Sequence, residues 1–260
     1  MSTNPIAIIS LLVIFFIFTY HKAHAQTTPW HSSMGGRTRL ILQADSQENI
    51  YKGAIEIDLK PGWKTFWRNP GSSGIKSNIT VQKNFKAEIF YPTPSLYKYY
   101  NDWDNIYEGH VFLPIEITKI NNTKSNNISG MALVGFCGNM CIPLDFDFNF
   151  SEQDLHNTDF TEQVLIKEAF ASLPKPATKE LKYFKIKNNN IVMCFTQNNI
   201  KEPQLFLDSN TIEFNIPKIV KVDDNSALFT VSSSSSFKKG DAIHYNFVSA
   251  NSSIYGNFIL

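Results

Sequence analysis

The sequence predicts an all-β protein: an antiparallel β-sandwich, then a short helix, then a second small β domain. Three observations predict it. Apolar and polar residues alternate along TRLILQA, KGAIEIDL, NITVQ, KAEIFY, GHVFLPIEIT, GMALVGF and LDFDFNF, all rich in β-branched and aromatic side chains and separated by Gly, Pro, Asn or Asp. The period changes in TEQVLIKEAFASL, where Val164, Leu165, Phe170 and Leu173 fall at helical spacing, with Asp159 or Thr161 available as N-cap. Strand-like segments then resume, from YFKIKN through IVMCFT, QLFLD, TIEFNI, ALFTVS and AIHYNFVS to YGNFIL.

In chain order, residues 1–25 read as a signal peptide. The apolar stretch from Ile6 to Phe18 is short for a bilayer span and right for a signal h-region, and Ala23 and Ala25 supply the small side chains of an A-x-A cleavage site. The segment MSTNP before it carries no Lys or Arg, which keeps an uncleaved anchor as the alternative. No later stretch reaches the roughly 18 apolar residues of a membrane helix. Export to the periplasm is therefore expected, with no stable membrane insertion after cleavage. Losing Lys22 with the leader leaves 23 basic against 23 acidic residues, a balance that argues against nucleic acid or anionic membrane as partner. The 43% of hydrophobic residues excludes disorder.

Residues 26–155 are assigned to the sandwich. In LDFDFNF the period of two puts Phe146, Phe148 and Phe150 on one face and Asp145, Asp147 and Asn149 on the other. Pro61 and Gly62 make a turn before a strand on which Trp67 is expected to be buried. Residues 156–180 are read as the helix and a linker stiffened by Pro174 and Pro176, and residues 181–260 as the second β domain, with the serines at 232–236 in a loop.

Three cysteines remain after cleavage. Cys194 lies in the apolar run IVMCF and reads as a small buried hydrophobe. Cys137 and Cys141 lie in a Gly-containing turn between two strand-like runs, close enough along the chain for a disulfide at a hairpin end. A bridge closing so few residues restricts the unfolded chain little, below the roughly 3 kcal/mol of a 15-residue loop. Spacing alone leaves three readings: a hairpin staple, an exchangeable redox pair, or soft Cu(I) ligands together with Met140 and His110.

Four segments, GWKTFWRNPGSSGI (62–75), IFYPTP (89–94), IYEGHVFLPIEI (106–117) and FCGNMCIP (136–143), resemble in order and spacing the N-terminal domain of DsbD-type thiol:disulfide interchange proteins, over roughly Trp30 to Phe150. The resemblance implies an immunoglobulin-like sandwich that takes electrons from a membrane thiol-disulfide transporter and passes them to periplasmic thiol proteins. It implies that Cys137 and Cys141 are the redox pair, Cys141 forming mixed disulfides and Cys137 resolving them, with no metal or organic cofactor. It implies a role in keeping exported cysteines reduced, including those awaiting haem or copper. It also implies an aromatic cap loop, for which LYKYYNDWDNIY offers Tyr100, with Tyr99 and Trp103 as alternatives. The chain looks like a stand-alone exported form, without the family's multi-helix membrane region or thioredoxin-like domain.

Other chemistries find little support. His31, His110, His156 and His244 have no metal-site spacing, and GSSG at 71–74 lacks the G-x-S-x-G elbow and reads as a turn in which Ser72 and Ser73 bond to backbone. Arg68 is a candidate partner-facing charge. A non-enzymatic binding module with a structural disulfide is the rival reading.

Overall fold

A computed structural model describes residues 27–100, 102–120, 127–156, 159–187, 190–250 and 252–260. The expected leader lies outside them. The N-terminal unit contains β1 (His31–Ser33), β2 (Gly36–Ala44), β3 (Ile50–Leu59), β4 (Lys64–Gly71), β5 (Asn78–Val81), β6 (Phe85–Ile89), β7 (Ser95–Tyr99), β8 (Asp102–Glu108), β9 (His110–Lys119), β10 (Asn127–Cys137) and β11 (Cys141–Ser151). They form a sandwich of two antiparallel sheets, one ordered β1-β2-β3-β9-β6 and the other β11-β10-β4-β8-β7, with β5 also paired to β10.

The alternation in the sequence decides which side chains meet between the sheets. Phe146, Phe148 and Phe150 are buried while Asp145, Asp147 and Asn149 face solvent. Leu40, Leu42, Ile55, Ile57, Leu113 and Ile115 come from the facing sheet and Trp67 from β4, all at most 1% exposed. Each such side chain contributes about 1.5–3 kcal/mol by leaving water.

The helix α1 (Phe160–Ala171) begins at Asp159, whose carboxylate accepts from the Thr161 backbone N–H at 2.7 Å. It lies against β2, β3 and β9. Its most buried residues are Ile166 and Ala169, whereas Val164, Leu165, Phe170 and Leu173 are half-buried. The chain then forms β12 (Lys175–Pro176), β13 (Leu181–Lys187), β14 (Asn190–Thr196), β15 (Gln204–Asp208), β16 (Lys218–Asp223), β17 (Ser226–Ser232), β18 (Ala242–Ser249) and β19 (Ser252–Ile259). These make two four-stranded sheets, β12-β19-β18-β15 and β13-β14-β17-β16, around a second apolar core.

Two features differ from the sequence reading. Lys175 and Pro176 pair in parallel with Ile254 and Tyr255, so the proline stretch is a sheet edge of the second unit. Proline is tolerated at an edge, where its missing N–H breaks no ladder. Cys194 is half-buried, because β14 turns Ile191, Met193 and Phe195 into the core and Cys194 to the opposite face.

The units share an interface. Phe206 of β15 enters the sandwich core and meets Trp67 edge-on, with ring centroids 6.1 Å apart. Asn69 Nδ2 donates to the Leu207 carbonyl at 2.8 Å, and Thr93 Oγ1 and Ser253 Oγ are hydrogen-bonded.

Candidate functional site

The β10–β11 hairpin is in continuous register from Asn127 opposite Ser151 to its last pair, Cys137 opposite Cys141. The three-residue loop Gly138–Met140 closes it, with the Gly138 N–H donating to the Met140 carbonyl at 3.0 Å. The two sulfurs form a disulfide, the Cα atoms 4.0 Å apart. Both cysteines face away from the sandwich core, because Phe136 next to Cys137 points into it. The two sulfurs are not equivalent. Cys137 is 5% exposed and packs with Phe66 and Ile106, while Cys141 is exposed to solvent.

The segment Gly71–Lys76 forms a strap over this outer face. Glycine is needed at its crossing points: a Cβ on Gly74 would fall 2.3 Å from the Phe66 ring, and one on Gly135 beneath it would fall 2.5 Å from Ile75. The strap brings the Ser73 carbonyl oxygen to 3.8 Å from Cys141 Sγ. Asp104, 6% exposed, holds it in place: its carboxylate accepts from the Ser73 N–H at 3.2 Å and from Ser73 Oγ at 3.3 Å. Ser73 Oγ also lies 3.0 Å from the Tyr99 hydroxyl. Burial, with the Asp104 and Asp102 carboxylates adding to it, raises the Tyr99 pKa, so the phenol keeps its proton for this bond.

The three aromatic residues expected in a cap occupy three different places. Tyr99 reaches the strap over the cysteines. Tyr100 stands fully exposed at the β7–β8 turn with φ +49°. Trp103 is on the opposite face of the sheet, lining a cleft with Leu205, Phe206 and Phe214 of the second unit. In the sequence the strap reads only as a turn. The signal that could have found it is a serine pair between two glycines.

Lys64 is the direct neighbour of Cys137 on β4, and its ammonium lies 3.7 Å from the centroid of the Tyr97 ring. On the other side of the hairpin tip, Trp63 packs between Gly35 and Gly138, where added Cβ atoms would approach it to 2.3 and 3.2 Å. Met34 and Met140 beside it are 66% and 61% exposed. With Pro61, Gly62 and Asn139 they line a shallow hollow at the tip. An exposed apolar collar of this kind, with two flexible thioethers, suits contact with varied protein surfaces.

His110, considered above as a soft-metal ligand, is engaged on the other sheet. Its Nε2 lies 2.8 Å from Glu56 Oε1, and Arg39 Nε donates to Glu56 Oε2 at 2.6 Å. Among the described residues, no three His, Cys, Asp or Glu side chains are grouped to hold a metal ion.

Fold and site together define an immunoglobulin-like β-sandwich protein with a disulfide between the last residue pair of a hairpin. Residues 38–153 match the family model of the N-terminal domain of the thiol:disulfide interchange protein DsbD. The architecture matches the N-terminal periplasmic domain of ScsB from Proteus mirabilis with a TM-score of 0.76 at 21% identity, over 91% of this chain and 98% of that one. At that identity the likeness is one of fold, and it includes the second β unit, beyond the family region. A conserved domain protein from Bacillus anthracis aligns over 93% of each chain at 6% identity, but its TM-score of 0.29 carries no argument. Comparison with curated proteins found no match. No helix among the described residues is long and apolar enough to cross a membrane.

Proposed function

We propose that the protein exchanges thiols and disulfides in the periplasm through Cys137 and Cys141, carrying electrons from a membrane thiol-disulfide transporter to exported thiol proteins. The observation that carries this reading is the asymmetry of the pair: an exposed Cys141 beside a buried Cys137. In the reduced pair, the Cys141 thiolate attacks a partner disulfide, forming a mixed disulfide and releasing one partner thiolate. The Cys137 thiolate then attacks Cys141 Sγ, closing the internal bridge and releasing the second partner thiolate. Two electrons have moved to the partner, whose thiolates take up protons from solvent. A donor dithiol protein resets the pair by the same steps in reverse.

The surroundings support these roles. The Trp63, Met34 and Met140 collar gives a partner an apolar surface beside Cys141. Lys64, the register partner of Cys137, places a cation on the neighbouring strand, where a positive charge supports thiolate formation. The strap, tied to Tyr99 and Asp104, shields one side of Cys141 until a partner docks. Cytochrome and copper-protein thiols are the proposed class of final acceptor.

Equilibration with glutathione buffers of graded potential, read by alkylation mass shift, tests the reading. A midpoint well above about −300 mV is expected of an exchanging pair. A bridge that resists reduction until the fold melts would make it a staple.

A further inference from the structure

A second cleft, whose lining includes neither Cys137 nor Cys141, lies between the two β units and has a volume of about 420 Å³. That is within the roughly 300–1,000 Å³ typical of small-molecule sites, which favour domain interfaces and apolar walls with few polar groups. Phe90, Tyr91, Phe170 and Tyr255 supply the walls. Several of the polar groups are donors.

Arg68 is the principal one. It is half-buried, its guanidinium carbon lies 5.4 Å from the centroid of the Tyr91 ring, and it makes no ion pair among the described residues. Asp208, opposite His244 on β15, and Glu88, whose charge also reaches His244, are not within ion-pair distance of the guanidinium. Lys175 adds a second cation. His244 is held neutral by burial and by Arg68, so it adds no charge at pH 7. Two further lining residues hold buried donors with no acceptor in the protein, Trp67 Nε1 and Asn246 Nδ2. A half-buried guanidinium with no ion pair, set among aromatic rings, suits an anion that carries its own apolar surface.

We propose that this cleft binds a small organic monocarboxylate, its carboxylate on Arg68 and its aromatic or aliphatic body among Phe90, Phe170 and Tyr255. The site is separate from the cysteine hairpin and does not rest on the exchange reading.

Isothermal titration calorimetry of the purified protein with 3-phenylpropionate and octanoate tests it, with 3-phenylpropionamide as the neutral comparator. Saturable binding of at least one acid is expected, with the amide and the Arg68→Gln variant about tenfold weaker or more, and Arg68→Lys retaining part of the affinity. Ala171→Trp, which fills the cleft from the end of the helix, should abolish binding without lowering the melting temperature. The amide comparison and Ala171→Trp decide the matter even if Arg68→Gln fails to fold. No saturable binding of either acid, equal binding of the amide, or unchanged affinity in Ala171→Trp would overturn the proposal.

Discussion

The two β units present their cysteines in contrasting ways. In the N-terminal unit, Cys137 and Cys141 close the last register pair of a hairpin, where the strands end and one sulfur reaches solvent. In the C-terminal unit, Cys194 sits mid-strand on β14, between β13 and β17, with no cysteine opposite: Tyr183 and Leu228 are its register partners. All three side chains face away from a core, so the face of the strand alone does not separate them. What separates them is the end of a ladder. A sulfur at a hairpin tip can be approached along the strand axis, whereas one in mid-ladder is flanked on both sides by paired strands.

The largest expected effect breaks this comparison or upholds it. Cys141→Ser abolishes disulfide exchange, Cys137→Ser accumulates mixed disulfides with partners, and Cys194→Ser leaves exchange unchanged. Trapping by covalent gel shift reads all three. Loss of exchange in a folded Cys194→Ser variant would remove the distinction between the units, and equal behaviour of the two hairpin variants would remove the distinction within the pair.

A second comparison concerns stability. The units differ in chemistry yet share Phe206, which extends from the C-terminal unit into the sandwich core. Phe206→Ala should cost about 3–5 kcal/mol and lower a single unfolding transition. Calorimetry showing two separate transitions, with the N-terminal one unmoved, would mean that the units are stabilised independently.

The strap sharpens the description of the N-terminal site. Asp104→Asn keeps the size of the side chain but weakens its acceptance from Ser73, a loss of about 1–3 kcal/mol at a buried charged acceptor. The reduced Cys141 should then alkylate several-fold faster, with the melting temperature lowered by a few degrees. An unchanged rate would show that the strap does not limit access to Cys141.

Much of this was legible in the sequence, and the limits were physical. The strict alternation in LDFDFNF predicts the burial of Phe146, Phe148 and Phe150 because one face of a strand must be dry and the other wet. Asp159 is legible as a helix cap because capping is local. In IVMCF the same alternation decides the matter: Ile191, Met193 and Phe195 share the inward parity, which leaves Cys194 outside, against the apolar reading of the run as a whole. The separation of Tyr99 from Trp103 depends on where the β7–β8 turn falls, and turn position sets the parity of everything after it. The strap over Cys141 and the entry of Phe206 into the sandwich are contacts between distant segments. No local pattern encodes them.

The smallest expected effect lies at the seam between the units. Burial, and then the Arg68 charge, lower the His244 pKa below its ordinary value of 6.5. In the unfolded chain His244 takes up a proton near pH 6.5, while in the folded protein it resists protonation until lower pH. Stability conferred by the neutral ring is therefore present above about pH 6.5 and is lost as the pH falls from there through the folded value. The melting temperature should drop between about pH 7.5 and 5.5, and His244→Gln should flatten that drop without changing exchange at the hairpin. If the variant keeps the full pH dependence, the titrating group lies elsewhere, and the seam is indifferent to protonation in this range.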